Sequence, residues 1–592
     1  MNKAKLKIFS LSLTFLTVLF SLLNFSFHLD ISLLALPLVL VYSFFLYSVG
    51  YNKLFLLGQL RFINIFRGFL QYEPFVLLVA FVLRRAGSFG TPFLLDLISV
   101  IVWCANSLIS LIILHYLNVK KVIVIDPAWK KYIESHGISR EKGFRRVDFE
   151  ILSWIDALVQ AVFMVLLLNI FIVQLYEIPS ESMVPEFLVR DRVIVFKSSS
   201  GPKFPLSDVG IPYLKKYKRG DIVVFRNPHY SDDRKSEVKN FISQFIYMCS
   251  LTKINVNVDD DGNPKADPLV KRITGLPGEQ LMMQDGILYS RTKKSDEWNV
   301  VQDDSKWAAW NLNEVKPSLK RGINDFPLSQ SDYDTMISIE LERNNLDLAV
   351  LAEECRALSR RFSYAYKVCS LNNDDGYGSC FEYFNSEKLF EYSLFAYHYN
   401  LALRLLSSTD GAEWFNSFMT DWISLNKSDF DGNLYDEANY KLNLMIKCAV
   451  GKLFVRDAEL LANRFVTPSS VSEARNDSVI QEYLKVAENL HAYTFLLDRR
   501  NMPVFPKNDE NGNPQYIPEN CYFMMGDNRF NSLDMRHSYN EWITPLTKYD
   551  KFSVSYITNM APQFVSNKKM LGTTSYRFWP LSRRGVPGHT GK

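Results

Sequence analysis

Residues 154–196 read WIDALVQAVFMVLLLNIFIVQLYEIPSESMVPEFLVRDRVIVF. The apolar run over 154–176 is long enough to cross a bilayer core, which takes roughly 20 such residues. Two serines between prolines, Ser180 and Ser182, follow almost at once, and β-branched residues at 189–196 then read as a strand. The stretch implies N-terminal transmembrane helices followed by a mostly-β extracytoplasmic domain, α+β overall.

Upstream, residues 1–118 hold eight Lys/Arg and three Asp/Glu, against 119 charged residues in the remaining 474. Apolar runs near 7–24, 31–49, 68–83 and 92–117 join 154–176 as candidate spans. Glu73 and Pro74 interrupt the third. Lys3, Lys5 and Lys7, then Lys53, Arg61 and Arg67, then the basic loop 119–153 mark the cytoplasmic side. Five spans put all three clusters there and leave Arg84 and Arg85 as violations. The first span reads as an uncleaved anchor, because no small-x-small site follows it before the next span. Everything after Tyr176 is then extracytoplasmic. Asp96, Asn106 and His115 lie in the fourth span. Asp96 and His115 sit near its ends, where they are expected to reach headgroups rather than line a pathway. A net charge of +4 carries no nucleic-acid footprint, and there is no HExxH, Walker or GxGxxG motif.

Downstream, strand and turn signals alternate in RGDIVVF (219–225), VKRITGLPGE (270–279) with QDGILY (284–289), and YFMMGDNRFNSLDMR (522–536). Taken singly, such segments are turns and solvated strand ends. Chemistry becomes visible when they are combined. A serine hydroxyl is a weak nucleophile until a base takes its proton, and no histidine precedes His537 in these segments. Lys271 is the available base. An ordinary lysine, with a pKa of about 10.4, is neutral roughly once in 2,500 molecules at pH 7. Desolvation must therefore lower its pKa, and Leu269, Val270 and Ile273 offer an apolar wall.

In sequence order, these four segments resemble the boxes of the type I signal peptidases, membrane-bound serine/lysine endopeptidases that remove signal peptides from exported proteins. The resemblance covers about residues 154–290 and 500–585. It implies Ser182 as nucleophile, Lys271 as general base, Ser180 in the oxyanion hole with the Ser182 N–H, and Ser532 orienting the lysine. Arg272, Asp527, Arg529, Asp534 and Arg536 match structural ion-pair positions. No metal or organic cofactor is implied. The implied partners are exported preproteins with small residues before the cleavage site, membrane lipid and a secretion translocase. The implied location is the bacterial inner membrane, multi-pass, with the catalytic domain on the periplasmic side. Departures from the pattern are Glu181 for a common glycine, Glu186-Phe187 for Thr-Leu, Phe530 for aspartate and Met535 for serine. Glu181, beside the nucleophile, is expected to alter cleavage-site preference. LGTT (571–574) and YRFWPL (576–581) look like the closing glycine and final strand.

The expected domains are 1–118, about four transmembrane helices; 119–153, the basic loop; 154–176, the last span; 177–290 and 499–592, the two parts of the catalytic β domain; and 291–498, a helical insertion. Within the insertion, apolar residues recur at helical spacing over 331–362, 387–406, 413–425, 435–465 and 471–497, and Tyr397, Trp414, Phe418 and Trp422 fit helix cores. Residues 257–262 and 429–432 echo calcium loops but lack the closing glutamate, so they read as turns. Of seven cysteines, Cys369 with Cys380 is the expected pair by proximity. Two other readings stand beside the peptidase. A self-cleaving repressor relative is opposed by the five spans. An inactive relative serving as a membrane scaffold or chaperone predicts broken chemistry, whereas Ser180, Ser182, Lys271 and Ser532 are all present.

Overall fold

The computed structural model describes residues 2–588 apart from 88–91, most of 119–142, 199, 231–232, 251–253, 255, 259–261, 263–264, 372–410, 425–429, 431 and 464–476. Among the described residues five helices are long and apolar enough to cross a membrane: Lys3–Leu23, Ile31–Leu56, Leu60–Ala86, Phe93–Tyr116 and Arg146–Phe171. Their α-helical cores are α1 (Lys3–Leu23), α2 (Ala35–Phe45), α3 (Ile63–Ala86), α4 (Phe93–Tyr116) and α5 (Phe144–Phe171).

Glu73 and Pro74 do not break the third span, and α3 runs continuously through them. Glu73 is buried in the bundle, where it accepts hydrogen bonds from Thr17 Oγ1 (2.9 Å) and from the Ser110 hydroxyl. Polar partners from neighbouring helices make such a residue tolerable at this depth. Asp96 departs from its expected place among headgroups. It is buried and pairs with Arg84 at 2.6 Å and Arg85 at 3.4 Å. That pairing gives Arg84 and Arg85, the two residues that the charge rule did not fit, a carboxylate partner.

The bundle grips the β domain directly. Phe204 inserts among Phe81, Trp103 and Phe171, with ring centroids 5.9, 5.3 and 4.9 Å away. Ser207 Oγ donates to Asp96 Oδ2 at 2.8 Å.

The β domain is antiparallel throughout its strand pairs. Its strands are β1 (Val173–Glu177), β2 (Arg192–Phe196), β3 (Ile222–Phe225), β4 (Leu269–Gly275), β5 (Glu279–Gln284), β6 (Ile287–Thr292), β7 (Ser295–Val300), β8 (Met502–Phe505), β9 (Cys521–Met525), β10 (His537–Pro545), β11 (Ser555–Met560), β12 (Val565–Ser566) and β13 (Met570–Trp579). Seven form one sheet in the order β1-β2-β13-β3-β4-β9-β12, four form a second in the order β7-β6-β5-β8, and β10 pairs with β11. Val223, Phe225, Ile273, Leu281, Phe523 and Met524 share one buried core. The expected hairpin at Asp285-Gly286 is present, with Gln284 opposite Ile287 and both turn residues at positive φ. The register sets Lys271 opposite Val223 and Arg272 opposite Met525, so β4 lies between the strand of the second motif and that of the fourth.

Residues 291–498 begin with β7 and short helical turns before α6 (Gln330–Asn344), α7 (Leu348–Leu371), α8 (Gly411–Thr420), α9 (Leu434–Asn463) and α10 (Ser478–Arg500). The single helix expected over 331–362 divides at 345–347, where Asp347 Oδ1 accepts the N–H groups of Ala349 and Val350 and starts a new helix. Phe418 and Trp422 are buried in the helical core and Trp414 packs on it. Tyr397, the helix expected over 387–406 and Cys380 lie outside the described residues, as do parts of 257–262 and 429–432. The helical layer is tied to the β domain by Lys447 and Asn443 on Asp550, at 2.6 and 2.8 Å, and by Thr558 on Asp498 at 2.6 Å.

Candidate active site

Ser182 lies on the loop between β1 and β2. Reciprocal backbone bonds close that loop, Ile178 N to Asp191 O and Arg190 N to Ile178 O, both 2.8 Å. The loop tip meets β4, where Lys271 Nζ is 2.6 Å from Ser182 Oγ across 89 residues of sequence. Ser180 Oγ is exposed and lies 3.4 Å from Ser182 Oγ.

Lys271 is 3% exposed. Burial lowers its pKa from the usual lysine value to about 8, against the opposing pull of Asp534 and Asp527 and with help from Arg536. His537 is also buried, and burial followed by Arg536 holds its pKa down at about 3. Its Nδ1 faces Asn559 Oδ1 at 3.1 Å, so it is a neutral packing group behind the site.

Charged residues brace the pair. Arg272 grips Asp527 with two bonds, Nε to Oδ1 at 2.7 Å and Nη2 to Oδ2 at 2.5 Å, and Trp307 covers its guanidinium at 4.9 Å. Arg536 pairs with Asp534 at 2.9 Å, and Asp534 Oδ2 accepts the Gly526 N–H at 2.9 Å. Arg529 pairs with Asp304 at 2.6 Å. Burial raises the Asp534 pKa, but Arg536 outweighs it and holds the group below the usual carboxylate range. Asp527 is pushed up by burial, with Arg272 opposing.

Sequence reasoning missed two members of this framework, Glu186 and Asp304. Glu186 is buried 3.7 Å from Arg272 and 3.8 Å from Arg577, and Asp304 completes the Arg529 pair. Glu186 was visible only as a departure from pattern, and Asp304 lies where catalytic residues were not expected. Ser532 Oγ is buried without a hydrogen-bond partner among the described residues, so the expected bond to Lys271 is not formed here. The Glu181 carboxylate accepts the backbone N–H groups of Asn324 and Asp325.

Gly526 separates the two serines. A Cβ there would lie 2.2 Å from Ser532 Oγ and 2.4 Å from the Ser182 carbonyl oxygen. Gly526→Ala must displace the Ser182 loop or the strand facing it. We expect it to lower kcat by about 10²-fold, the scale of a misplacement of about 1 Å, measurable in any assay that follows Ser182 reactivity.

A loop serine against a buried lysine on a braced sheet fits a peptidase. The chain belongs to the signal peptidase family, peptidase S26, whose family model matches residues 151–332 and 466–579. It is 30% identical over 182 residues to signal peptidase I of Buchnera aphidicola subsp. Baizongia pistaciae, covering 31% of this chain and 46% of that protein. It is 39% identical over 132 residues to signal peptidase I of Pseudomonas aeruginosa, covering 22% and 32% respectively. Identity to signal peptidase I S of Bacillus subtilis is 28% over 167 residues, covering 28% of this chain and 59% of that protein. The matched region thus spans about half or less of the first two proteins' length.

Proposed function

We propose that the chain is a membrane-bound signal peptidase I that cleaves signal peptides from exported preproteins with Ser182 as nucleophile and Lys271 as general base. The 2.6 Å approach of a buried, low-pKa amine to the Ser182 hydroxyl carries this reading. Neutral Lys271 takes the hydroxyl proton as Ser182 Oγ attacks the scissile carbonyl, and passes it to the leaving amine. Water then attacks the acyl-enzyme, with the same amine as base. The Ser182 N–H and the Ser180 hydroxyl are the donors for the oxyanion, each worth about 2.7 to 4 kcal/mol in such sites. The family resemblance assigns Ser532 to orient the Lys271 amine, a bond the present geometry does not make, and the pairs Arg272–Asp527, Arg536–Asp534 and Arg529–Asp304 hold the layer behind it.

The preprotein lies extended along a sheet edge, with small side chains one and three residues before the scissile bond. The domain division is 1–118 and 154–176 as membrane spans around a cytoplasmic 119–153, 177–290 with 499–592 as the catalytic domain, and 291–498 as the insertion. The catalytic domain faces the periplasmic side of the inner membrane, near the secretion translocase. A scaffold or chaperone role is disfavoured by an intact set of reacting groups.

The test is cleavage of a preprotein by the full chain in proteoliposomes, with product masses read by spectrometry. The expected result is one cut after a small-x-small sequence, blocked when a bulky residue replaces the last small one. Absence of cleavage across several preproteins contradicts the proposal.

A further inference from the structure

The nucleophile loop is held by more than its own strands. The Ser182 carbonyl oxygen accepts the Asn528 N–H at 3.1 Å, and the Glu181 carbonyl oxygen accepts Asn528 Nδ2 at 3.2 Å. The Glu181 carboxylate extends the other way. Its Oε1 accepts the Asn324 N–H at 2.6 Å and its Oε2 accepts the Asp325 N–H at 3.1 Å. Asn531 Nδ2 then donates to Asp325 Oδ2 at 3.0 Å, returning the connection to the segment that carries Ser532.

Apolar contacts run beside these bonds. Ile323 packs with Val184, Leu188, Ala309 and Leu312 in one buried cluster. Gly322 permits the approach, because a Cβ there would stand 2.4 Å from Leu188 Cδ1. The residue immediately before the nucleophile is therefore fastened to backbone from a segment more than 140 residues away. A carboxylate shared between two adjacent N–H groups makes charge-assisted bonds, the stronger kind of hydrogen bond. Such a clamp fixes the direction in which the next residue leaves it.

We propose that Glu181 is a positioning residue, whose carboxylate clamps the 323–325 segment and thereby holds the Ser182 hydroxyl at the Lys271 amine. The role rests on the assignment of Ser182 as nucleophile and acts through it, because the Glu181 carboxylate is bound to the 324–325 backbone and not to Lys271. It makes the start of the 291–498 region part of the active site's frame. Loosening the clamp lets Ser182 drift from its 2.6 Å approach, which lowers the chemical rate while substrate binding, made along the sheet edge, persists.

The test compares steady-state cleavage by wild type, Glu181→Ala and Glu181→Gln in the full chain, alongside thermal unfolding. Alanine removes both acceptors, whereas glutamine keeps one oxygen. The expected result is a kcat lowered by about 30- to 100-fold for alanine, KM within about threefold, glutamine in between, and unchanged unfolding temperatures. A kcat within about threefold of wild type for Glu181→Ala overturns the positioning role and leaves the Ser182 assignment standing. A fall in kcat shared equally by both variants and matched by a fall in unfolding temperature overturns it too, since that pattern is loss of fold. Where the alanine variant does not fold, the glutamine variant decides alone: a kcat lowered at constant KM and unfolding temperature supports the role, and a wild-type kcat overturns it. Cleavage that survives Ser182→Ala in the same assay removes the underlying assignment and this inference with it.

Discussion

Replacing Lys271 by methionine is expected to lower preprotein cleavage by a factor on the order of 10³ or more, while the protein becomes no less stable. The loss follows from geometry. Lys271 is the titratable side chain within hydrogen-bond distance of Ser182 Oγ among the described residues, and His537 faces Asn559 instead. The gain follows from burial. Below a pH of about 8 the lysine is protonated in folded and unfolded states alike, and the fold carries the full cost of a buried ammonium. That cost is shed as pH rises from the folded value toward the ordinary lysine value. Methionine fills similar space without the amine and removes up to about 3 kcal/mol of strain at pH 7. Cleavage rate and chemical unfolding, measured on the same preparation, should therefore move in opposite directions. A variant that loses activity and stability together would assign Lys271 to the fold instead.

The second large effect concerns Arg272. Arg272→Ala leaves Asp527 and Glu186 facing each other in a buried layer, at distances set by a guanidinium that is gone. Breaking a buried pair from one side costs about 3 to 5 kcal/mol, a large share of the ~5 to 15 kcal/mol that keeps a typical protein folded. The variant is expected to unfold at markedly lower denaturant and to lose activity with its fold. Combining Arg272→Met with Asp527→Leu should recover much of the stability, since no unpaired charge is left and Glu186 keeps Arg577. Denaturant midpoints for the single and double variants decide this. A double variant as unstable as the single one would show that the pair acts through packing and not through charge.

Reading along the chain located the proposed reacting groups because motif spacing is local. Ser182 and Lys271 each announce themselves within a few residues. What local sequence did not supply was the set of partners brought in by folding. Asp304 reaches Arg529 and Asn324 reaches Glu181 across 225 and 143 residues, and neither carries a motif of its own. Glu186 is a plain buried carboxylate whose meaning is given by two distant arginines.

The membrane part shows the same division. Hydropathy located five long apolar helices but misjudged Glu73, Pro74 and Asp96. Hydropathy weighs a residue by its neighbours in sequence, whereas these side chains find Thr17, Ser110 and Arg84 across helices. The break at 345–347 was hidden for a related reason. Apolar periodicity continues through it, and a single aspartate cap restarts the helix.

The pH dependence of kcat/KM for preprotein cleavage by the intact protein reads the protonation state of the proposed base in the free enzyme. As the proposed base, Lys271 acts only when neutral, so activity is expected to rise with pH and level off above the lysine's folded value of about 8. The account predicts a tenfold gain per pH unit below that point, with the inflection absent from residual activity in Lys271→Met. A rate that stays flat between about pH 5 and 9 would contradict a lysine base at this site.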